Sequence, residues 1–181
     1  MSIATQQITA EELFGNHPRE RCELVRGELH ILSPAGGEHG WVVLKVSIPL
    51  GTFIESQQSG HVFGAETGFI IARNPDTVRA PDVAFVKAGR FSGKPVKSFV
   101  PFAPDLAVEV LSPFDSASEV QAKVEEWLNA GTHAVWVIDP QRESALICRT
   151  SQDGVLSLRV EELSDDLLLP GFRLPVKQLF E

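Results

Sequence analysis

The chain has no tyrosine and only two cysteines among its 181 residues. Without a phenol, no catalytic step that depends on tyrosine is possible. Cys22 and Cys148 lie far apart, and the sequence has neither a CxxC motif nor a cluster of cysteine and histidine. This pattern argues against a structural zinc site and a disulfide framework, and it suits a reducing cytoplasm.

The sequence also lacks a long hydrophobic run. No apolar stretch approaches the roughly 18–20 residues that a helix needs to span a bilayer. The N-terminal segment MSIATQQITAEELF has neither the basic region nor the apolar region of a secretory signal. We therefore predict a cytoplasmic protein without a membrane-spanning segment.

The chain also has no excess of positive charge: its net charge is −8 and its pI is near 5.1. Proteins that hold nucleic acid through phosphate contacts are usually basic, so the overall charge counts against DNA as a partner. Between residues 73 and 97, however, six basic side chains stand against two acidic ones. A solvated loop explains this stretch without any binding role. If it does bind nucleic acid, the candidate contacts are Arg79, Lys87, Arg90, Lys94 and Lys97.

Hydrophobic periodicity predicts one α/β domain over residues 1–181. The segment CELVRGELHIL is typical of a β-hairpin, and residues 40–58 have the apolar spacing of a helix, in which Pro49 favours a kink or a shifted boundary. Strands are predicted at HVFGAETGFII and APDVAFV, with a turn at Asn74-Pro75-Asp76 between them, and then at DLAVEVLS. The chain closes with AVWVID, SALICRT, GVLSLRV and LPGFRLPVKQLF.

A second helix is predicted between two of these strands. Ser116 and Glu119 match a capping box, the helix ends near Asn129, and Gly131 is placed just beyond its end. The step from DLAVEVLS through this helix to AVWVID is a βαβ crossover, which favours parallel strands. The sequence therefore predicts a mixed central sheet with helices on its faces.

Three charged residues stand in apolar surroundings and form the candidate site. Glu109 lies inside the most apolar predicted strand, and Asp82 opens the strand before it. Neighbouring strands are only about 4.8 Å apart, so these two carboxylates can approach each other. Lys123 falls within the apolar stripe of the second helix, between Val120 and Trp127, and is expected to face the sheet.

This set suits phosphodiester hydrolysis. Paired carboxylates hold Mg²⁺ through oxygen ligands, and the metal polarises a phosphate and lowers the pKa of bound water. A lysine can stabilise charge in the transition state or orient the water. Roles without catalysis are equally open to these residues: Asp82 caps a turn, Glu109 and Lys123 form a salt bridge without function, or Lys123 extends to solvent.

The ordered segments CELVRGEL, APDVAFV, PDLAVEVLSP, KVEEWLNAG, AVWVIDP and LPGFRLPVKQLF, with His39 after Ser33-Pro34, resemble the Uma-type family of putative restriction endonucleases. This family lies within the PD-(D/E)xK nuclease superfamily. The resemblance implies a restriction-endonuclease-like αβββαβ core and a Mg²⁺-dependent centre, for which Mn²⁺ can substitute. Pro81-Asp82 matches the PD and Glu109 matches the (D/E).

The resemblance departs from the superfamily pattern at one position. Leu111 stands where the lysine is usual, and Lys123 matches a branch in which the lysine has moved to the following helix. Glu23 and His39 match family positions of less clear role. Glu23 is an extra acid near the centre or a salt-bridge partner in the hairpin, and His39 activates water or caps the first long helix.

These observations predict a metal-dependent DNA endonuclease in which Asp82 and Glu109 are metal ligands and Lys123 assists. Cleavage of both strands of a duplex favours a homodimer. One alternative is a catalytically inactive module on the same fold that binds nucleic acid or a partner. Another is a structural interaction domain in which the charged residues form a buried ion-pair network.

Overall fold

The computed structural model describes residues 7–16, 21–91, 93–152 and 154–181 of the chain. Within these ranges the helices are α1 Ala10–Asn16, α2 Gly37–Gln57 and α3 Ala117–Asn129. The strands are β1 Cys22–Val25, β2 Glu28–Ile31, β3 Gly60–Gly64, β4 Phe69–Ala72, β5 Thr77–Arg79, β6 Val83–Lys87, β7 Leu106–Val110, β8 Ala134–Asp139, β9 Ser144–Ser151, β10 Gly154–Val160, β11 Glu162–Asp165 and β12 Leu169–Pro175.

The central element is a six-stranded sheet with the order β10-β9-β8-β7-β6-β3. Within it, β7 and β8 are parallel and every other neighbouring pair is antiparallel. The parallel pair is the predicted crossover, because α3 connects the end of β7 to the start of β8. The predicted mixed sheet flanked by helices is confirmed.

Helix α2 covers one face of this sheet. Its buried residues Val42, Val46, Leu50 and Ile54 recur at intervals of four, so they form one stripe that packs into the larger hydrophobic core. The predicted helix is confirmed, with its start at Gly37 rather than Gly40. Pro49 lies inside the helix without dividing it.

Helix α3 covers the opposite face, with Val124, Trp127 and Leu128 buried in a second core. The capping box is present: the Ser116 hydroxyl accepts a hydrogen bond from the Glu119 backbone N–H, and the Glu119 side chain accepts one from the Ser116 backbone. The residue after the C-cap is Gly131, whose φ of +97° suits glycine. The predicted bounds of this helix are confirmed.

A second sheet, with the order β2-β1-β5-β4, adjoins the first. Strands β1 and β2 are the predicted hairpin. Strand β5 pairs with β1 through Leu24 and Val78, and only residues 80–82 separate β5 from β6 of the large sheet. Consequently the chain passes from one sheet to the other at Asp82.

Three features of the fold differ from the sequence predictions. The segment HVFGAETGFII is not one strand, because β3 belongs to the large sheet and β4 to the small one, with a turn between them in which Glu66 has a φ of +69°. Strand β5 was not predicted, since three residues are too few to show alternation. Helix α1 was also missed.

Among the described residues, no helix combines the length and the apolar character needed to cross a lipid bilayer.

The packing of α2 gives a direct test of the fold. Leu50 is fully buried, so Leu50→Ala should lower the free energy of unfolding by about 2–5 kcal/mol. Ile48 lies on the same helix but is 65% exposed, so Ile48→Ala should change it by less than about 0.5 kcal/mol. Urea unfolding followed by circular dichroism measures both. Equal losses would contradict the assigned face of α2.

Candidate active site

Glu109 lies in β7, at the centre of the six-stranded sheet, and is buried. Its side chain points toward α3, where two donors reach it. Lys123 donates from Nζ to Oε2 of Glu109 at 2.8 Å, and Trp127 donates its indole N–H to Oε1 at 2.8 Å. Both donors lie on one face of α3 because they are four residues apart. The prediction that Lys123 faces the sheet is therefore confirmed.

Burial raises the pKa of Glu109 to about 7. The negative charge of Asp82 acts in the same direction, and the nearby ammonium of Lys123 opposes both. For Lys123, burial acts to lower the pKa, but the carboxylates of Glu109 and Glu23 outweigh it and raise the pKa above its ordinary value. Lys123 is thus a cation at neutral pH, which excludes it as a general base there.

Glu23 is the second carboxylate that contacts Lys123, with Oε1 3.5 Å from Nζ. The same Oε1 accepts a hydrogen bond from the backbone N–H of Ala80 at 2.9 Å, and Oε2 accepts one from Arg79 at 2.7 Å. Burial acts to raise the pKa of Glu23, but the charges of Lys123 and Arg79 and these hydrogen bonds outweigh it, and the pKa is lowered. Glu23 thus lies beside Lys123, and its ion-pair partners come from β5 and α3 rather than from the hairpin.

Asp82 is buried at the junction of the two sheets. Its Oδ2 accepts a hydrogen bond from the backbone N–H of Val110 at 2.8 Å, which fixes the carboxylate beside the strand that carries Glu109. The imidazole of His39 lies on the same oxygen, with Nε2 3.3 Å away. Oδ1 has a looser neighbour, since Nη2 of Arg21 is 4.0 Å away.

His39 is not the cap of α2. Gly36 is the N-cap residue, and His39 lies within the first turn of the helix. The helix begins earlier than predicted, so the histidine faces Asp82 instead of the helix terminus. The hydrogen bond to Asp82 raises the pKa of His39, against the effect of partial burial.

The basic residues predicted to contact nucleic acid separate into two groups. Arg79 is mostly buried, and its guanidinium contacts Glu23 and Glu126 at 2.7 Å each. Arg90 contacts Asp105 at 2.9 Å and lies over the ring of Phe102. The other three, Lys87, Lys94 and Lys97, are exposed.

The sequence analysis missed Arg21. It precedes β1 and lines a cavity of about 500 Å³ together with His39, Glu66 and Asp82. No local pattern marks this arginine, because its neighbours in space come from α2, the β3–β4 turn and the junction at Asp82. Its only signal is its position two residues before Glu23.

The acids and His39 do not form a ready-made metal cage. Among the residues that the structure describes, no three His, Cys, Asp or Glu side chains are grouped so that they could hold a metal ion. Mg²⁺ does not require such a group, since one or two carboxylates, waters and substrate phosphates are sufficient. A carboxylate has about four lone-pair sites, so the two donors on Glu109 leave others available, and Asp82 lines the cavity. The donor set therefore fits Mg²⁺.

Comparisons with known proteins identify the family and the fold. A sequence model of the Uma2 family, described as "Putative restriction endonuclease", matches residues 7–177. The fold is similar to the crystal structure of "a putative nuclease belonging to DUF820" from Anabaena variabilis, with a TM-score of 0.79 and 20% identity over 96% of this chain and 97% of that one. The predicted nuclease fold is thus confirmed. No curated protein matches the chain.

The buried carboxyl of Glu109 predicts a pH-dependent stability. Its pKa is about 7 in the folded protein against an ordinary 4.5, so between these values the folded state holds the proton more tightly than the unfolded state. The resulting stabilisation is complete below pH 4.5 and is lost as the pH rises through about 7. Relative to Glu109→Gln, the wild type should lose up to about 3 kcal/mol of unfolding free energy across this window.

Urea unfolding of the metal-free proteins at a series of pH values measures this difference. Glu125→Gln is the matched control, since Glu125 is a residue of α3 that does not contact Glu109 or Lys123. The control should follow the wild type at every pH. If the unfolding free energies of the wild type and Glu109→Gln also change in parallel with pH, Glu109 does not have a raised pKa.

Proposed function

Since the chain belongs to the Uma2 family of putative restriction endonucleases, we propose that it is a metal-dependent endonuclease that hydrolyses phosphodiester bonds in DNA. The observation that carries this proposal is the convergence of Asp82, Glu109 and Lys123 at one end of β7. Asp82 is fixed there by the backbone of Val110, and Lys123 by Glu109 itself. A purely structural ion pair does not require the third residue, Asp82, to be buried beside it.

In this proposal Asp82 and Glu109 hold Mg²⁺, or Mn²⁺ in its place. When bound there, the ion would supply polarisation of the phosphate and a lower pKa of water. Lys123, which stays protonated, stabilises the negative charge that develops on the phosphate oxygens as water attacks phosphorus and the bond to the leaving oxygen breaks. Glu23 holds the ammonium of Lys123 from its second side.

His39 and Glu23 are accessory residues. His39 keeps the carboxylate of Asp82 oriented, and in this proposal it also activates a water molecule there. Glu23 and Arg79 together fix the junction between the sheets, because Glu23 also accepts the hydrogen bond of Ala80. We therefore leave Arg79 out of the proposed DNA contacts.

We assign the DNA backbone contacts to the exposed lysines Lys87, Lys94 and Lys97. Arg90 contributes less to them, because its charge is paired with Asp105. Cleavage of both strands of a duplex requires two centres, so a homodimer remains a prediction, as does a cytoplasmic location.

Asp82→Asn tests the metal centre with little change of shape. The amide oxygen of asparagine can still accept the hydrogen bond of Val110, so the fold should be retained. We expect Mn²⁺ affinity, measured by calorimetry, to fall by more than about tenfold, since even indirect partners of metal ligands have effects of that size. Cleavage of plasmid DNA with Mg²⁺ should be lost with it.

Asp139→Asn is the control for this measurement. Asp139 accepts a hydrogen bond from the backbone of Arg142, which asparagine can also do, so both readouts should match the wild type. If the wild type neither binds Mn²⁺ nor cleaves DNA, the alternative of an inactive binding module takes the place of the endonuclease.

Lys123→Met separates metal binding from chemistry. The cleavage rate should fall by about 100-fold or more, because a donor to the developing charge is removed. Mn²⁺ binding should persist when the pH is raised, because Glu109 without its cation needs a higher pH to ionise. Lys177→Met, at an exposed lysine, is the control. A folded Lys123→Met protein that cleaves at the wild-type rate would end the proposal of a migrated lysine.

A further inference from the structure

The cavity beside Asp82 contains a cation that the chemistry proposed above does not use. The cavity has a volume of about 500 Å³ and is bordered by Arg21, His39, Glu66 and Asp82, with Pro34 among its apolar residues. This volume lies in the range of small-ligand sites, about 300–1,000 Å³. One wall is therefore the proposed metal ligand Asp82, and another is a guanidinium group.

Arg21 is poorly partnered for a side chain that is only 24% exposed. Among the residues that the structure describes, its nearest carboxylate oxygens are Oε1 of Glu66 at 3.7 Å and Oδ1 of Asp82 at 4.0 Å, both too long for hydrogen bonds. Its Nε is buried and has no hydrogen-bond partner among the described residues. A buried donor without a partner is unfavourable and is rare in native proteins.

Arg79 shows what a structural arginine looks like in the same protein. Its guanidinium contacts two carboxylates at 2.7 Å each, the length typical of charge-assisted pairs. Arg21 lies close in sequence to Glu23 but makes no carboxylate contact of this length within the described ranges 7–16, 21–91, 93–152 and 154–181. Its donors are available to a ligand that enters the cavity.

The ligand that suits these donors is a phosphate group. The guanidinium fork matches two oxygens of a phosphate, and its charge is permanent. Glu66 and Asp82 repel an anion, but Glu66 is largely exposed and its charge is therefore well screened. A cation held by Asp82 would remove the remaining repulsion.

We propose that Arg21 binds the non-bridging oxygens of a substrate phosphodiester in the cavity beside Asp82. This inference rests on the proposed function for its substrate, since the phosphodiester is that of the nucleic acid chain to be cleaved. Arg21 is then a substrate-binding residue that places the phosphate group next to the carboxylate centre. The apolar wall near Pro34 adjoins the sugar of the same nucleotide.

The test compares Arg21→Gln and Arg21→Lys with the wild type, and uses Arg142→Gln as control. Arg142 is an exposed arginine with one ion pair, to Asp139. A fluorescein-labelled DNA duplex is titrated at fixed salt in Ca²⁺, an oxygen-binding ion, and in EDTA, and affinity is read from anisotropy. Mn²⁺ calorimetry and thermal unfolding are recorded for each protein.

Arg21→Gln should weaken DNA binding in Ca²⁺ by about 10–100-fold, the effect of losing charge-assisted hydrogen bonds. Arg21→Lys should recover part of the affinity, because lysine restores the charge without the fork. Mn²⁺ affinity should stay at the wild-type value, and Arg142→Gln should match the wild type throughout.

Three results would overturn the inference: no DNA binding by the wild type, wild-type DNA affinity in Arg21→Gln, or loss of Mn²⁺ affinity in both Arg21 variants, which would make Arg21 a positioning residue for Asp82. If Arg21→Gln does not fold, the test rests on Arg21→Lys alone. A DNA affinity of Arg21→Lys equal to that of the wild type would then contradict the inference. Failure of the proposed function gives a different result. If DNA binding depends on Arg21 but the protein neither binds Mn²⁺ nor cleaves DNA, the phosphate site is supported and the proposed endonuclease activity is contradicted.

Discussion

The burial of Glu109 in the middle of the six-stranded sheet is the constraint on which the rest of the site depends. An unpaired carboxylate there would cost several kcal/mol, so the protein must supply donors from the helix above it. Lys123 and Trp127 provide one donor to each oxygen, and their spacing of four residues allows α3 only one rotation about its axis. The buried carboxylate of Glu109 thus determines the orientation of α3 on the sheet. In this orientation, α3 packs its apolar side chains into the second hydrophobic core.

Hydrogen bonds to the neighbouring carboxylates Glu23 and Asp82 join the two sheets. On one side of the junction, Glu23 accepts the backbone hydrogen bond of Ala80, and on the other side Asp82 accepts that of Val110. These two carboxylates are therefore acceptors that hold the backbone between β5 and β6 and join it to β7. This structural role explains why both acids are buried and hydrogen-bonded. In the proposed endonuclease, the same side chains would serve both stability and chemistry.

Much of the fold was predictable because its signals are local. The apolar run of β7, the capping box at Ser116 and the crossover to β8 lie within consecutive residues, and the inward direction of Lys123 follows from helical spacing. The start of α2 was placed too late because Gly36 and Gly37 were interpreted as loop, which led to the wrong cap assignment for His39. Arg21 was not predictable, since its importance arises from neighbours that only the meeting of the two sheets brings together.

The positions that form the site are spread over most of the chain, from β1 to α3. Glu23 and Lys123 come together only after the small sheet, the large sheet and the crossover helix have all formed. Contacts between residues so far apart in sequence are the slow and late contacts of folding. A chain in which β6, β7 and α3 have not yet come together does not hold Asp82, Glu109 and Lys123 at one place. The proposed hydrolytic activity is thereby confined to molecules in which these elements are assembled.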